Sequence, residues 1–256
     1  MSSPSSVLSY DLASWEINSS KSQHESTTTS DTTESSSSIT LNQLIHNLPH
    51  TIHSQNTKLK QMSIKERLHF DNTIRGSSSD AITQLFGRVD IAQGEWKRYA
   101  MLDVNKKYTR NLIATDNETY TLLLLCWNCD RESPIHNHPC DGCWVRLCQG
   151  RVRETRYESN DETGTLEVTS DFILEDDTPT FINDYQGYHK VGNPDPTLPA
   201  ATLHLYCPPF QKCKIWMKDK EDKLRARDAC MCYHSEYGVR LGDEKTCDEL
   251  FEVVNI

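Results

Sequence analysis

The pattern of hydrophobic and polar positions divides the chain into a polar beginning, a short helical part and a long part made of strands. From residue 1 to about residue 38, Ser and Thr dominate and large apolar side chains are few. Such a composition cannot bury enough apolar surface to offset the entropy of ordering the backbone. Residues 1–38 are therefore predicted to be a disordered Ser/Thr-rich tail.

Two helical patterns follow the tail. In the first, apolar residues repeat at spacings of three and four, with Thr40 as a candidate N-cap and Pro49 as a candidate stop. The apolar positions of this pattern are Leu41, Leu44, Ile45 and Leu48. The second pattern begins at Asp80 and again has one apolar face. Between them, the polar stretch 50–79 is predicted to be a flexible insertion, with at most one weak helix over 64–70.

After residue 99 the hydrophobic period changes from helical to two, which is the period of β-strands. The predicted strands are 107–114, 120–127, 143–149, 151–157, 166–174, 179–182, 189–191, 201–207, 213–217 and 229–233. Short strands at this spacing predict a mainly β fold, a sandwich or barrel of the jelly-roll kind with short N-terminal helices. We expect residues 39–256 to form this single domain.

Composition narrows the function classes. The apolar fraction of 36% is low for a wholly globular chain of 256 residues, and the formal net charge of -10 argues against a nucleic-acid surface. The longest apolar run, 122–127, is too short to cross a bilayer, and the N-terminus lacks the features of a secretory signal. We expect no nucleic-acid partner, no membrane attachment and a cytoplasmic location. In that compartment the ten cysteines are expected to be reduced thiols or metal ligands.

Three histidines in the predicted strands are candidate metal ligands. His136 and His138 are two residues apart, so in an extended segment both imidazoles point the same way and can reach one ion. His189 is a third candidate, at a predicted turn-to-strand junction. Three neutral ligands leave a divalent metal with open positions, which suits substrate binding and oxygen chemistry. A His-x-His pair also occurs often by chance, so the pair alone does not identify a site.

Two further groups of polar side chains share a strand face. By alternation, Thr202, His204 and Tyr206 lie on one face of their predicted strand, and Tyr108 and Arg110 share a face of theirs. The first group is either a polar relay inside a cavity or the solvated face of an edge strand. The second is either a substrate-binding pair or an exposed arginine with its neighbour.

A competing hypothesis is a structural zinc site. Cys126 with Cys129, and Cys140 with Cys143, form two C-x-x-C pairs whose spacing is compatible with tetrahedral zinc. Against this, Cys126 belongs to an apolar run and Cys143 begins the next strand, whereas zinc knuckles present cysteines on tight turns.

Four segments in order resemble the mammalian-type cysteine dioxygenases of the cupin superfamily. They are YTRNL, SPIHNHPCDGCWVRLCQG, INDYQGYHKVGN and LHLYCPPFQKC. The resemblance runs from about residue 80, and more loosely from residue 39, to about residue 237. It implies a cupin jelly-roll barrel and a non-haem Fe(II) enzyme of cysteine catabolism. That enzyme would add both atoms of O2 to the sulfur of free L-cysteine and produce cysteine sulfinic acid.

The resemblance also implies a role for each candidate residue. The Fe(II) ligands would be His136, His138 and His189. The substrate carboxylate would be held by Arg110, with Tyr108 beside it. Tyr206 would hydrogen-bond the oxygen or the substrate, and His204 with Thr202 would orient its hydroxyl. Family members carry a thioether between a cysteine and this tyrosine, and the matching positions are Cys143 and Tyr206.

The sequence departs from the family pattern at two positions in and just before the last matched segment. Thr202 and Cys207 stand where serine is usual, and a cis peptide between Cys207 and Pro208 is expected only by analogy. The alternatives that stay open are a dioxygenase of another small thiol, a metal-binding cupin without catalysis and a zinc-stabilised interaction module. We expect a monomer whose partners are L-cysteine and O2.

Overall fold

The computed structural model describes residues 37–160 and 165–242, so nearly all of the predicted Ser/Thr-rich tail lies outside the described residues. Three α-helices are formed within these ranges: α1 (Leu41–Gln61), α2 (Ile64–His69) and α3 (Ala81–Gly87). A single π-helical turn, Phe70–Ile74, follows α2, and a 3-10 helix, Glu95–Tyr99, precedes the strands. No helix of the described ranges is long and apolar enough to cross a membrane.

Helix α1 is longer than its sequence predicts. It begins as expected at Thr40, whose side chain accepts a hydrogen bond from the Gln43 backbone in a capping box. The predicted stop at Pro49 is wrong, because the helix continues through this proline to Gln61. A proline inside a helix costs about 3 kcal/mol, and the buried face that continues through Ile52 offsets it. The predicted insertion 50–79 is consequently helical over much of its length.

Fourteen strands follow the helices within the described ranges. They are β1 (Tyr108–Thr115), β2 (Thr121–Trp127), β3 (Arg131–Glu132), β4 (Ile135–His136), β5 (Gly142–Gln149), β6 (Val152–Ser159), β7 (Leu166–Leu174), β8 (Thr180–Ile182), β9 (Tyr188–Asn193), β10 (Ala200–Cys207), β11 (Lys212–Lys218), β12 (Leu224–Cys230), β13 (Ser235–Glu236) and β14 (Val239–Arg240). The first sheet has the order β14-β13-β1-β2-β10-β5-β8. The second has the order β12-β11-β4-β9-β6-β7, with β3 paired to β9. The predicted mainly β jelly-roll fold is confirmed.

Most predicted strands coincide with observed ones, and the misses have local causes. The prediction of a strand over 229–233 is wrong for its second half, because the strand in this region is β12. Apolar and charged residues alternate only over its first four positions, residues 224–227, and pairing along β11 extends the strand to Cys230. Strands β3 and β4 are two residues long, too short to show any period.

The central strands of the first sheet are covered on both faces, which explains their apolar sequences. All seven residues of β2 are buried, because one face packs under the helices and the other lines the barrel interior. The two faces of β5 pack against different parts of the protein, the helices on one side and the barrel interior on the other. Arg146 donates hydrogen bonds to the carbonyls of Phe86 (2.9 Å) and Val89 (2.7 Å) at the end of α3. This attachment to the helices holds β5, so that Cys143 on the other face has a fixed position inside the barrel.

Candidate metal and substrate site

Three histidines meet on one side of the barrel interior. His136 on β4 and His189 on β9 are directly paired across the two strands, and His138 follows β4 by two residues. The Nε2 atoms of His136 and His189 are 3.2 Å apart, and ligand atoms of all three lie within 4.8 Å of one another. Two nitrogens bonded to one ion at about 2.1 Å lie roughly 3–4 Å apart. The three predicted ligands therefore converge as a metal site requires.

His138 carries the most direct sign that the cluster holds a metal. Its side chain is fully buried, and neither ring nitrogen has a hydrogen-bond partner among the described residues. Leaving buried polar atoms unpaired is costly, and a metal ion would remove that cost at the coordinating nitrogen. The backbone N–H of His138 donates to Asp184 at 2.6 Å, which fixes the loop that presents the ring.

Burial also sets the protonation of the cluster. It lowers the pKa of His136 to about 4, and it lowers the pKa values of His138 and His189 well below the ordinary value. All three imidazoles are thus neutral at pH 7 and have a lone pair for a metal.

A buried carboxylate stands behind the cluster. Glu154 on β6 is 1% exposed, and its Oε1 lies 3.1 Å from the Nδ1 of His189. The same oxygen accepts a hydrogen bond from the Nε of Arg156 at 2.8 Å. A carboxylate in this position fixes the tautomer of the imidazole and turns its other nitrogen towards the metal. On His136 the carbonyl of Pro134, 3.0 Å from Nδ1, is placed to do the same.

Glu154 was missed by sequence reasoning, although a signal exists. On β6 the side chains of Val152, Glu154 and Arg156 share one face by alternation, and Val152 and Glu154 are both buried. Opposite charges two residues apart on the apolar face of a strand indicate a buried ion pair.

The opposite side of the interior holds the predicted substrate-binding pair. Arg110 and Tyr108 lie on β1, and the guanidinium donates a 2.7 Å hydrogen bond to the tyrosine hydroxyl. The ring of Tyr108 packs on Trp127 with centroids 4.7 Å apart. Burial acts to lower the pKa of Arg110, but the neighbouring tyrosine and cysteine side chains raise it above its usual value. Arg110 is therefore a fixed cation that faces a cavity and not an exposed arginine.

A series of hydrogen bonds runs across strands β2, β10 and β5 of the first sheet. The Nε1 of Trp127 donates to the hydroxyl of Thr202 (2.9 Å), which lies 2.9 Å from the Nε2 of His204. The Nδ1 of His204 lies 3.8 Å from the Sγ of Cys143. Thr202, His204 and Tyr206 are all buried on β10, a strand between β2 and β5. The interpretation as a solvated edge strand is therefore wrong.

Cys143 and Tyr206 are direct cross-strand partners on β5 and β10. Directly opposed residues place their Cβ atoms about 5 Å apart, so the thiol and the ring are neighbours. Burial raises the pKa values of both groups well above the ordinary ones. His204 contacts Thr202 through one ring nitrogen and this thiol through the other, so any orienting effect of His204 and Thr202 on Tyr206 would act through Cys143.

The cavity between His136 and Arg110 is small, with a volume of about 20 Å³. Its lining combines side chains from both sheets with apolar residues that sequence reasoning did not select. These apolar residues are Leu125, Pro134, Val191, Phe210, Ile215 and Met231. Apolar side chains around Arg110 and the histidines lower the local polarity, which strengthens electrostatic interactions there. No period in the sequence distinguishes them from other core residues.

The zinc hypothesis is not supported. Cys126 is buried in the core beneath the helices, whereas Cys143 lies in the barrel interior. In residues 37–160 and 165–242, the histidine trio is the one group of three or more side chains arranged to hold a metal. The Cys207–Pro208 peptide is cis, as the analogy predicts.

Comparison with known proteins agrees with this site. A family model described as cysteine dioxygenase type I matches residues 30–219. The chain belongs to the cysteine dioxygenase type I family. It is therefore a dioxygenase, and the interpretations without catalysis no longer apply to this family member.

Relatives and solved structures extend the comparison. The human and rat proteins named cysteine dioxygenase type 1 are each 35% identical over 147 residues, which is 57% of this chain and 72% of theirs. The zebrafish protein of that name is 33% identical over 148 residues, with the same coverage. An RmlC-like cupin from Shewanella frigidimarina is 12% identical with a TM-score of 0.32, over 43% of this chain and 85% of that one. A polyketide cyclase from Streptomyces resistomycificus is 15% identical with a TM-score of 0.33, over 46% and 76%. Structural likenesses this weak carry no argument.

Proposed function

We propose that this family member is an Fe(II) enzyme that adds both atoms of O2 to the thiol of free L-cysteine and releases cysteine sulfinic acid. The observation that carries the proposal is the pairing of two features across one small cavity. Of the three neutral imidazoles, His136 lines the cavity, and His138 with its unpaired ring nitrogens lies beside it, their ring centroids 5.0 Å apart. The half-buried cation Arg110 lines the cavity from the first sheet. A small thiol with a carboxylate matches both.

The donor set fits ferrous iron. Imidazole suits iron among other transition metals, and a three-histidine set leaves coordination positions open. The ferrous ion, when bound, supplies the redox chemistry with O2 that no side chain can supply. His136, His138 and His189 would hold it without neutralising its charge. An anionic thiolate is therefore the favoured form of the substrate, since it provides the charge that the ligands lack.

The side chains of the first sheet orient the substrate. Arg110 would bind the carboxylate through its planar fork of N–H donors, which forms a charge-assisted pair. The hydroxyl of Tyr108 already accepts from Arg110 and so holds the guanidinium in one rotamer. Tyr206 would donate a hydrogen bond to the oxygen or the substrate. The apolar lining would exclude water from the reacting atoms.

We further propose the thioether between Cys143 and Tyr206. The Sγ–H bond and one ring C–H bond of the tyrosine break, a C–S bond forms, and O2 takes up the two electrons and two protons. The support is the direct cross-strand pairing of the two residues. Peptide mass spectrometry after turnover should show the two peptides joined with the loss of two hydrogens. Complete separation of the peptides would reject the crosslink.

The decisive experiment is anaerobic reconstitution with Fe(II), followed by L-cysteine and O2, with sulfinate formation and oxygen uptake measured together. We expect one sulfinate for each O2 consumed. Turnover of cysteamine or mercaptopropionate without sulfinate from cysteine would reject L-cysteine as the substrate. It would still support an iron enzyme that oxidises another small thiol. We also propose a monomer in the cytoplasm, which sedimentation and cell fractionation test.

A further inference from the structure

A second cavity lies between the later half of α1 and the segment around residues 70–81. Its volume is about 340 Å³, and it shares no lining residue with the cavity between the sheets. The lining residues are His50, Thr51, Ser54, Gln55, Lys58, Leu59, Met62, Phe70, Ser79 and Ala81. We propose that this cavity, which we call the α1 cavity, binds a small aliphatic carboxylate.

The first observation is a buried donor without a partner. Gln55 lines the α1 cavity and is only 7% exposed, and its Nε2 finds no hydrogen-bond partner among the described residues. The position continues the buried face of α1, three residues after Ile52, where an apolar side chain would pack without cost. A buried amide that leaves N–H groups unpaired carries a free-energy penalty that an acceptor from outside the chain would remove.

The second observation is the charge of the lining. The chain has 37 acidic and 27 basic residues, yet none of the ten lining residues is acidic. Lys58 stands at the exposed rim, and the hydroxyls of Thr51 and Ser54 are further donors. A lining with a cation and several donors favours a ligand whose polar end is an anionic acceptor.

The third observation concerns the rest of the lining. Leu59, Met62 and Phe70 provide an apolar wall beside these donors. An apolar wall with a few convergent polar groups is typical of small-molecule sites, and 340 Å³ lies within their ordinary range of about 300–1,000 Å³. The matching ligand has a short hydrocarbon body and one carboxylate. A cation or a neutral alcohol of the same length matches only part of the lining.

The test is a calorimetric titration of the full-length, iron-loaded protein with hexanoate, hexanol and hexylamine. We expect hexanoate to saturate one site in the α1 cavity, hexanol to bind about tenfold more weakly and hexylamine not to bind, since only the carboxylate pairs with Gln55 and Lys58. Equal binding of all three probes, or of none, would overturn the proposal. The latter result would mean that water satisfies Gln55.

Variants assign the binding to the α1 cavity. Gln55→Leu should weaken hexanoate at least about tenfold, and Gln61→Leu, at the exposed end of the same helix, should leave it unchanged. Lys58→Glu alters only the exposed rim, so it keeps the test valid if Gln55→Leu fails to fold. It should abolish hexanoate binding and introduce hexylamine binding.

One further variant separates the α1 cavity from the catalytic one. Arg110→Ala should retain one hexanoate site, because Arg110 does not line the α1 cavity. Loss of all hexanoate binding in Arg110→Ala, with full binding in Gln55→Leu, would place the carboxylate in the catalytic cavity and overturn the proposal.

Discussion

The two sheets contribute to the site in different ways. The second sheet carries the candidate metal side: His136 on β4 and His189 on β9 are paired across adjacent strands, and Glu154 on β6 stands behind them. The first sheet supplies the organic side, with Arg110 on β1 and a buried hydrogen-bonded chain that ends at Cys143. On each side, the key side chain is hydrogen-bonded to a residue of the same sheet: His189 to Glu154, and Arg110 to Tyr108.

Because the two sides belong to different sheets, metal retention and substrate binding can be separated experimentally. The metal side depends on the convergence of a few nitrogen atoms, which one missing ligand destroys. The organic side depends on a charge and a series of hydrogen bonds, where each loss has a graded cost. Changes on the second sheet should therefore alter iron content first, and changes on the first sheet should alter kinetics with iron retained.

The largest effect is expected from His138→Ala. Loss of one of three ligands should reduce iron to below about a tenth of an ion per chain and sulfinate formation by at least about a thousandfold. Metal analysis and oxygen uptake measure both. His53→Ala, on the exposed face of α1, is the matched control and should retain full iron. Normal iron in His138→Ala would break the assignment of the metal side.

Arg110→Ala should come next. Removal of the cation that would pair with the substrate carboxylate should lower kcat/KM by about a hundredfold, equivalent to about 3 kcal/mol, mainly through a raised KM. Iron content should not change. Arg110→Lys should recover part of the loss, because it restores the charge without the fork. Unchanged KM would show that the carboxylate binds elsewhere.

Glu154 tests the support of the metal side. Glu154→Ala should weaken iron binding about 10- to 100-fold, because His189 loses the partner that fixes its tautomer. Iron release to a chelator is the measurement, and it does not require activity. Glu154→Gln keeps an acceptor oxygen and should lose less. Glu158→Gln, at the exposed end of the same strand, is the control. Equal iron release in all three variants would contradict a positioning role.

The smallest kinetic effect is expected from Thr202→Val. It removes the hydroxyl between Trp127 and His204 and leaves the buried indole N–H unpaired. The free energy of unfolding should fall by about 1–3 kcal/mol, and kcat should fall several-fold with iron retained. Thr202→Ser keeps the hydroxyl and should restore kcat. A kcat that falls equally in both variants would show that packing, not the hydrogen bond, matters at this position.

Much of the site could be predicted from local patterns. The two-residue period of the strands places Tyr108 with Arg110 on one face, and Thr202, His204 and Tyr206 on another, before any tertiary contact is known. The resemblance to a known family then assigned their roles. Helix α3 was predicted from Asp80, its observed N-cap. Pro49 predicts a helix end that the structure does not have, because burial of α1 residues on both sides of the proline outweighs its local penalty.

The alternation of residues along the chain is enough to predict most of the strands and the side chains that share each face. Which faces close upon each other depends on the fold of the whole chain. It pairs His189 with His136 across 53 residues and with Glu154 across 35. The physical reason is that side-chain alternation is a property of one strand, whereas burial and hydrogen-bond partners depend on which strand becomes its neighbour. The unpaired amide of Gln55 and the carboxylate of Glu154 became visible only in the folded chain, because each is defined by its surroundings.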